Sequence, residues 1–220
     1  MADETGYLAC RCGQCRITLC DPDMRYRAEC LCVDCRQRCL ISASRGPGNE
    51  LPPAVAAYER GIDLYYFTNA LKVDDASLER MEFSELRADA NNTTCMSSCC
   101  GTLMCGTHPI YGGHTISVNA DSCRVTVPSV MPSKLIGFGG DIPADKCEAI
   151  RQRDTRPLVM SLEAEINEPH MVELLAAVTA PVPERFSREG RTFEALCAAK
   201  NNTRIDNAFF EESRAGRPRL

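Results

Sequence analysis

Apolar and polar residues alternate with period two in several short runs of the first half of the chain. Arg16-Ile17-Thr18-Leu19 and Met24-Arg25-Tyr26-Arg27-Ala28 each alternate, which predicts two strands separated by a turn at Asp21-Pro22-Asp23. Ile62-Asp63-Leu64-Tyr65-Tyr66-Phe67 predicts a strand that ends at Asn69. His114 to Val118 and Cys123 to Val127 predict a hairpin through Asn119-Ala120-Asp121-Ser122. Gly46-Pro47-Gly48 and Pro52-Pro53 mark a loop. Residues 7 to about 130 thus read as short strands with cysteine-rich turns.

Farther along, the period changes. Pro169 suits the first turn of a helix, and Met171, Leu174, Leu175 and Val178 follow at helical spacing until Pro181 and Pro183 end it. A second helix is expected from Arg191 to Ala199, with Phe193, Leu196 and Cys197 on one face. The arginine-bearing end, Arg214 to Leu220, reads as a solvated terminus. The expected organisation is a metal-binding domain over 7–145 and a partly helical extension over 146–220. That extension is also the candidate surface for homodimerisation or partner binding.

Composition changes this picture in one respect. With 44% hydrophobic and 25% charged residues, the 220-residue chain can bury a core without needing metal or disulfides to fold. A net charge of -5 is a poor match for nucleic acid phosphates. The longest uncharged apolar stretch, Leu174 to Pro183, is too short to span a bilayer, and Met1 to Thr5 lacks the pattern of a secretory signal. A cytoplasmic protein is therefore expected, with no membrane or nucleic acid partner. In a reducing compartment, fifteen cysteines point to bound metal or reactive thiols rather than bridges.

The cysteines are clustered. Cys10-Arg-Cys12-Gly-Gln-Cys15 and Cys30-Leu-Cys32-Val-Asp-Cys35 share a Cys-x-Cys-x-x-Cys-Arg template, offset by 20 residues. A third cluster runs Cys95-Met-Ser-Ser-Cys99-Cys100-Gly101-Thr102. Such spacings let neighbouring thiolates reach one ion, and zinc takes four ligands in a tetrahedron. Signatures of other chemistries are missing, among them the phosphate-binding Gly-x-x-x-x-Gly-Lys loop and the His-Glu-x-x-His zinc protease helix.

The ordered set Cys10-x-Cys12-Gly13, Cys30-x-Cys32-x-x-Cys35-Arg36 and Cys100-Gly101-Thr102 resembles the glutathione-dependent formaldehyde-activating family, which includes the centromere protein V group. The resemblance covers roughly residues 7 to 130 and implies a mainly β, Mss4-like fold of small coiled sheets with two zinc sites. Matched by motif, Cys10, Cys12 and Cys100 are ligands of a structural zinc. The family pattern Cys-x-x-Cys-Gly-Thr requires cysteine at position 97, where this chain has Ser97. Cys95 is the expected fourth ligand and Cys99 the alternative, because consecutive residues tend to project in different directions. Cys30, Cys32 and Cys35 match the thiolates of a catalytic zinc whose fourth position is associated with glutathione or water. The implied activity is S-hydroxymethylglutathione formation or, more broadly, carbon–sulfur lyase or transferase chemistry on glutathione or a glutathionylated small molecule.

Other residues carry weaker expectations. Arg36 can pair with a glutathione carboxylate through its guanidinium fork, or form a surface salt bridge. Asp34, between two ligand positions, is a proton acceptor or a solvated aspartate. Cys39 or His108 can close the second site, which would make it structural, and Cys15 can substitute in the first. The alternatives to an enzyme are a non-catalytic two-zinc interaction module and a glutathione carrier.

Overall fold

The computed structural model describes residues 6–87, 92–201 and 203–206. The expectations for Met1 to Thr5 and Arg214 to Leu220 lie outside these residues. In chain order the elements begin β1 (Tyr7–Ala9), β2 (Arg16–Leu19), β3 (Tyr26–Cys30), α1 (Val33–Arg45), α2 (Pro53–Ala56), β4 (Ile62–Thr68) and β5 (Leu71–Lys72). They continue with α3 (Asp75–Glu79), β6 (Met81–Glu85), β7 (Thr93–Ser97), β8 (Leu103–Thr107), β9 (Thr115–Asn119), β10 (Arg124–Thr126) and β11 (Ile136–Gly137). The remainder is α4 (Ala144–Arg153), α5 (Leu162–Glu165), α6 (Pro169–Thr179), α7 (Glu184–Glu189), α8 (Phe193–Lys200) and β12 (Arg204–Ile205).

The strands form two sheets, one ordered β10-β1-β2-β5 and one ordered β11-β3-β4-β9-β8-β7-β6-β12. Two pairings differ from the sequence expectation. β9 lies between β4 and β8, whereas β10 pairs with β1, so these neighbours in sequence do not form a hairpin. β2 and β3 likewise part at the Asp21–Asp23 turn and enter different sheets. Alternation marks a strand but leaves its partner open, because either sheet accepts the same in–out pattern.

Strand β4 illustrates how the layers are built. Ile62, Leu64 and Tyr66 face one core, and Phe67, with Tyr65 beside it, faces the other. The first core fills the space between the sheets with Leu8, Ile17, Leu19, Phe67, Phe83 and Ile116. The second lies on the opposite face of the large sheet, under Ile41 of α1 and Met171 and Val178 of α6. Helices α6 and α8 fall close to their expected positions, and Phe193 and Leu196 of α8 are fully buried in the inter-sheet core. Helix α1 was not expected from the sequence, and it positions one of the two cysteine clusters. Among the described residues no helix is long and apolar enough to cross a membrane.

Candidate metal centres

Two cysteine groups converge. Cys10, Cys12, Cys99 and Cys100 bring their sulfurs within 4.8 Å of one another, and so do Cys30, Cys32 and Cys35. Each group can hold a metal ion.

The first group joins the turn after β1 to the turn between β7 and β8. The Cys10 sulfur lies 3.4 Å from that of Cys12 and 3.7 Å from that of Cys99, with Cys12 and Cys99 3.4 Å apart. Four sulfurs about 2.3 Å from a tetrahedral zinc would stand about 3.8 Å from each other, so the donor set fits that ion. Surrounding groups hold the sulfurs in place. The Cys15 amide donates to the Cys10 sulfur at 3.2 Å, and the Ser97 and Thr102 hydroxyls lie 3.3 and 3.2 Å from the Cys100 sulfur. Burial works to raise the Cys100 thiol, but hydrogen bonds from the Ser97 and Thr102 hydroxyls and from Cys12 together bring it down to about 5.

Cys95, the expected fourth member, lies outside the group, and Cys99, the alternative, converges with Cys10, Cys12 and Cys100. Cys95 sits within β7 directly opposite Cys105 of β8 and is fully buried in the inter-sheet core. Residues 98–100 form a turn closed by the Gly101 amide donating to Ser97 O at 2.8 Å. In a strand, consecutive side chains point to opposite faces, but a turn rotates the chain and lets Cys99 and Cys100 converge. Cys15 also stays outside the group. Its thiol faces the Ser77 carbonyl at 3.6 Å, and burial pushes it up to about 12.

The second group is built on the end of β3 and the start of α1. Cys30 ends the strand, Cys32 is the helix N-cap, and Cys35 lies in the first turn, where its amide donates to the Cys32 sulfur at 3.3 Å. A helix N-terminus favours negative charge, so three sulfurs gathered there suit the thiolate form that binds metal. Hydrogen bonds from the Cys30 and Cys32 thiols hold the Cys35 thiol well below its ordinary value.

Among the described residues no fourth His, Cys, Asp or Glu joins this group. Cys39, one turn beyond Cys35, is buried and accepts from Asn119 Nδ2 at 3.2 Å. His108 accepts from the Ile110 amide through Nδ1 at 3.1 Å. Burial, aided by Arg38, lowers its pKa, which favours the neutral ring.

The three sulfurs open onto a cavity of about 300 Å³. Arg36 does not line it. Its guanidinium lies over the Tyr58 ring and donates to Val55 O at 2.7 Å, so the structure does not bring it into the cavity beside the three sulfurs. Arg38 lines the wall instead. It is 4% exposed, donates to Asn92 through Nη2, and leaves Nε without a hydrogen-bond partner. Helical spacing explains the exchange, because position i+3 from Cys35 shares its face and position i+1 does not. Asp34 also lines the cavity, paired with Arg87 at 3.3 Å. Tyr66 and Tyr111, rings edge-to-face at 5.8 Å, complete the wall beside the thiols.

No family model and no curated protein matches the chain.

Proposed function

We propose that the chain is a zinc enzyme that makes or breaks a carbon–sulfur bond on glutathione or a glutathione conjugate. The observation that carries this reading is the three-cysteine group opening on a cavity with no fourth ligand among the described residues. A structural zinc is ordinarily closed by four protein ligands, and a catalytic one keeps a position free. Zinc held by Cys30, Cys32 and Cys35 would offer that position to an incoming thiol and favour its thiolate form. The four-cysteine group supplies the closed counterpart, stapling β1 to the β7–β8 turn. The resemblance to the glutathione-dependent formaldehyde-activating family adds the identity of the thiol.

The chain's own residues bind and orient. Arg38, buried and with an unused Nε–H, is the group to receive a glutathione carboxylate. Tyr66 and Tyr111 are pushed above the ordinary phenol value by burial, so both remain O–H donors toward a carbonyl or hydroxyl oxygen. In the forming direction the thiol gives up its proton, its sulfur adds to the carbonyl carbon as the C=O π bond breaks, and the oxygen takes up one proton in exchange for the one the thiol released. In the reverse direction the hydroxyl gives up that proton, the C–S bond breaks, and free thiol and aldehyde leave.

The test is incubation of the zinc-loaded protein with glutathione and a panel of aldehydes, followed by mass spectrometry and NMR. Enzyme-dependent formation of S-hydroxyalkylglutathione supports the reading. Saturable glutathione binding without turnover would replace it with a carrier. X-ray absorption fitting four protein sulfurs at both metals would replace it with a closed two-zinc module.

A further inference from the structure

Two cavities meet at Cys30. The polar one holds the three sulfurs and Arg38. A second, of about 120 Å³, shares Cys30, Tyr66, His108, Tyr111 and Phe138 with it and runs beneath α6. The remaining wall is dominated by aliphatic side chains, including Leu135, Val159, Met171, Leu174 and Val178. The carboxylate on its lining, Glu29, is engaged elsewhere, by Arg156 at 2.8 Å and by the Gly61 amide at 3.0 Å. Thus the helical stripe legible in the sequence of α6 forms one side of a chamber that adjoins the reactive sulfurs.

We infer that this chamber is the subsite for the carbon-side group of the substrate, and that the group is apolar and about one aromatic ring or one short branched alkyl chain in size. The inference rests on the glutathione reading and adds the class of conjugate. With the peptide's sulfur at the cysteine group and its carboxylate at Arg38, the carbon bonded to sulfur has the apolar side of Cys30 as its exit. An apolar cavity of about 150 Å³ is large enough to hold benzene and stays dry when empty. A one-carbon hydroxymethyl group would leave such a chamber unfilled and draw no binding from it. A ring or branched chain would bury its surface there and so be selected over the smaller group.

The experiment is calorimetric titration of the full-length, zinc-loaded protein with S-methylglutathione and S-benzylglutathione. Neither carries a free thiol, so binding is read without turnover. The benzyl conjugate should bind at least about tenfold more tightly, with the more negative heat-capacity change that apolar burial produces. Leu174→Trp, which fills the chamber, should bring the ratio of the two affinities to within about twofold of unity. Leu174→Asn, which makes its wall polar at similar volume, is the second variant, and circular dichroism shows which of the two folds. Equal affinities in the unmodified protein would overturn the subsite and leave the glutathione reading standing. A benzyl preference that survives in a folded variant would also overturn it. Failure of both conjugates to bind would overturn the glutathione reading and the subsite together.

Discussion

The Cys35 amide donates to the Cys32 sulfur at 3.3 Å, so one cysteine is at once a metal-site residue and the N-cap of α1. The two roles separate by substitution. Serine is a good N-cap and a poor zinc ligand, whereas alanine is neither. Under the proposed two-zinc reading, Cys32→Ser and Cys32→Ala should each lose one of the two metal ions, measured by atomic emission. In metal-free protein, urea denaturation should find the alanine variant less stable than the serine variant by about 1 kcal/mol.

The choice between Cys95 and Cys99 has an equally direct test. Cys99→Ser should remove one zinc and lower thermal stability strongly, since metal binding at a closed structural site contributes directly to folding. Cys95→Ala should retain both ions and cost only about 1 kcal/mol for the small cavity left among packed neighbours. Metal counting alone decides between them.

What the sequence carried and what it did not can be traced to particular residues. The spacings within Cys30-Cys32-Cys35 marked that group because its convergence is local. The meeting of Cys10 and Cys12 with Cys99, 89 and 87 residues on, and with Cys100 is tertiary, and only the family resemblance pointed to it. Alternation in Ile62 to Phe67 marked β4, since Ile62, Leu64 and Tyr66 are buried while Asp63 and Tyr65 between them stay partly exposed. Helix α1 was illegible because, of its buried residues Gln37, Arg38, Cys39, Ile41 and Ser42, only Cys39 and Ile41 are apolar, and two positions do not set a helical period. The helix also separates Arg36 from Arg38, since of the two only Arg38 lines the cavity. Adjacency in sequence to Cys35 singles out Arg36, whereas the helix brings position i+3, Arg38, to the face that Cys35 occupies.

The Arg38 assignment predicts a specific kinetic pattern under the proposed activity. Arg38→Met should raise KM for glutathione by about tenfold or more, with a smaller change in kcat, as expected when a carboxylate contact common to ground and transition states is lost. Arg36→Met should leave KM unaltered. Its cost is the Tyr58 stacking contact, about 0.5–1 kcal/mol of stability. Steady-state kinetics with varied glutathione, beside thermal denaturation, distinguishes the two arginines.

Acid sensitivity should arise in part far from either metal group. Arg156 donates to Asp154 at 2.9 Å through Nε and pairs with Glu29 of β3 at 2.8 Å, tying the segment after α4 to the large sheet. The hydrogen bond from Arg156 holds the Asp154 carboxyl below the ordinary carboxylate range. A depressed folded pKa means the contribution is present above the unfolded value near ~3.9 and is lost as pH falls through the folded value. Asp154→Asn should therefore cost about 0.5–1 kcal/mol at neutral pH. The difference from the parent should vanish once Asp154 is protonated in both states, which a series of urea titrations down the acid range would measure.

Gly101 carries the most exacting backbone requirement at the four-cysteine group. Its φ is +69°, and a Cβ built there would lie 2.4 Å from Cβ of Arg45 and 3.2 Å from the Arg45 carbonyl carbon. Its amide closes the turn onto Ser97 O, and its carbonyl accepts from the Ser42 hydroxyl at 2.6 Å, which fastens the turn to α1. Gly101→Ala must therefore either twist the turn that aims Cys99 and Cys100 or push α1 away. Left-handed strain and overpacking together should cost about 2–4 kcal/mol. The damage should fall unequally on the two metals. In a competition with a chromophoric chelator, the variant should surrender the zinc of the four-cysteine group first. The other zinc, at the far end of α1, should leave at nearly the parent concentration of chelator.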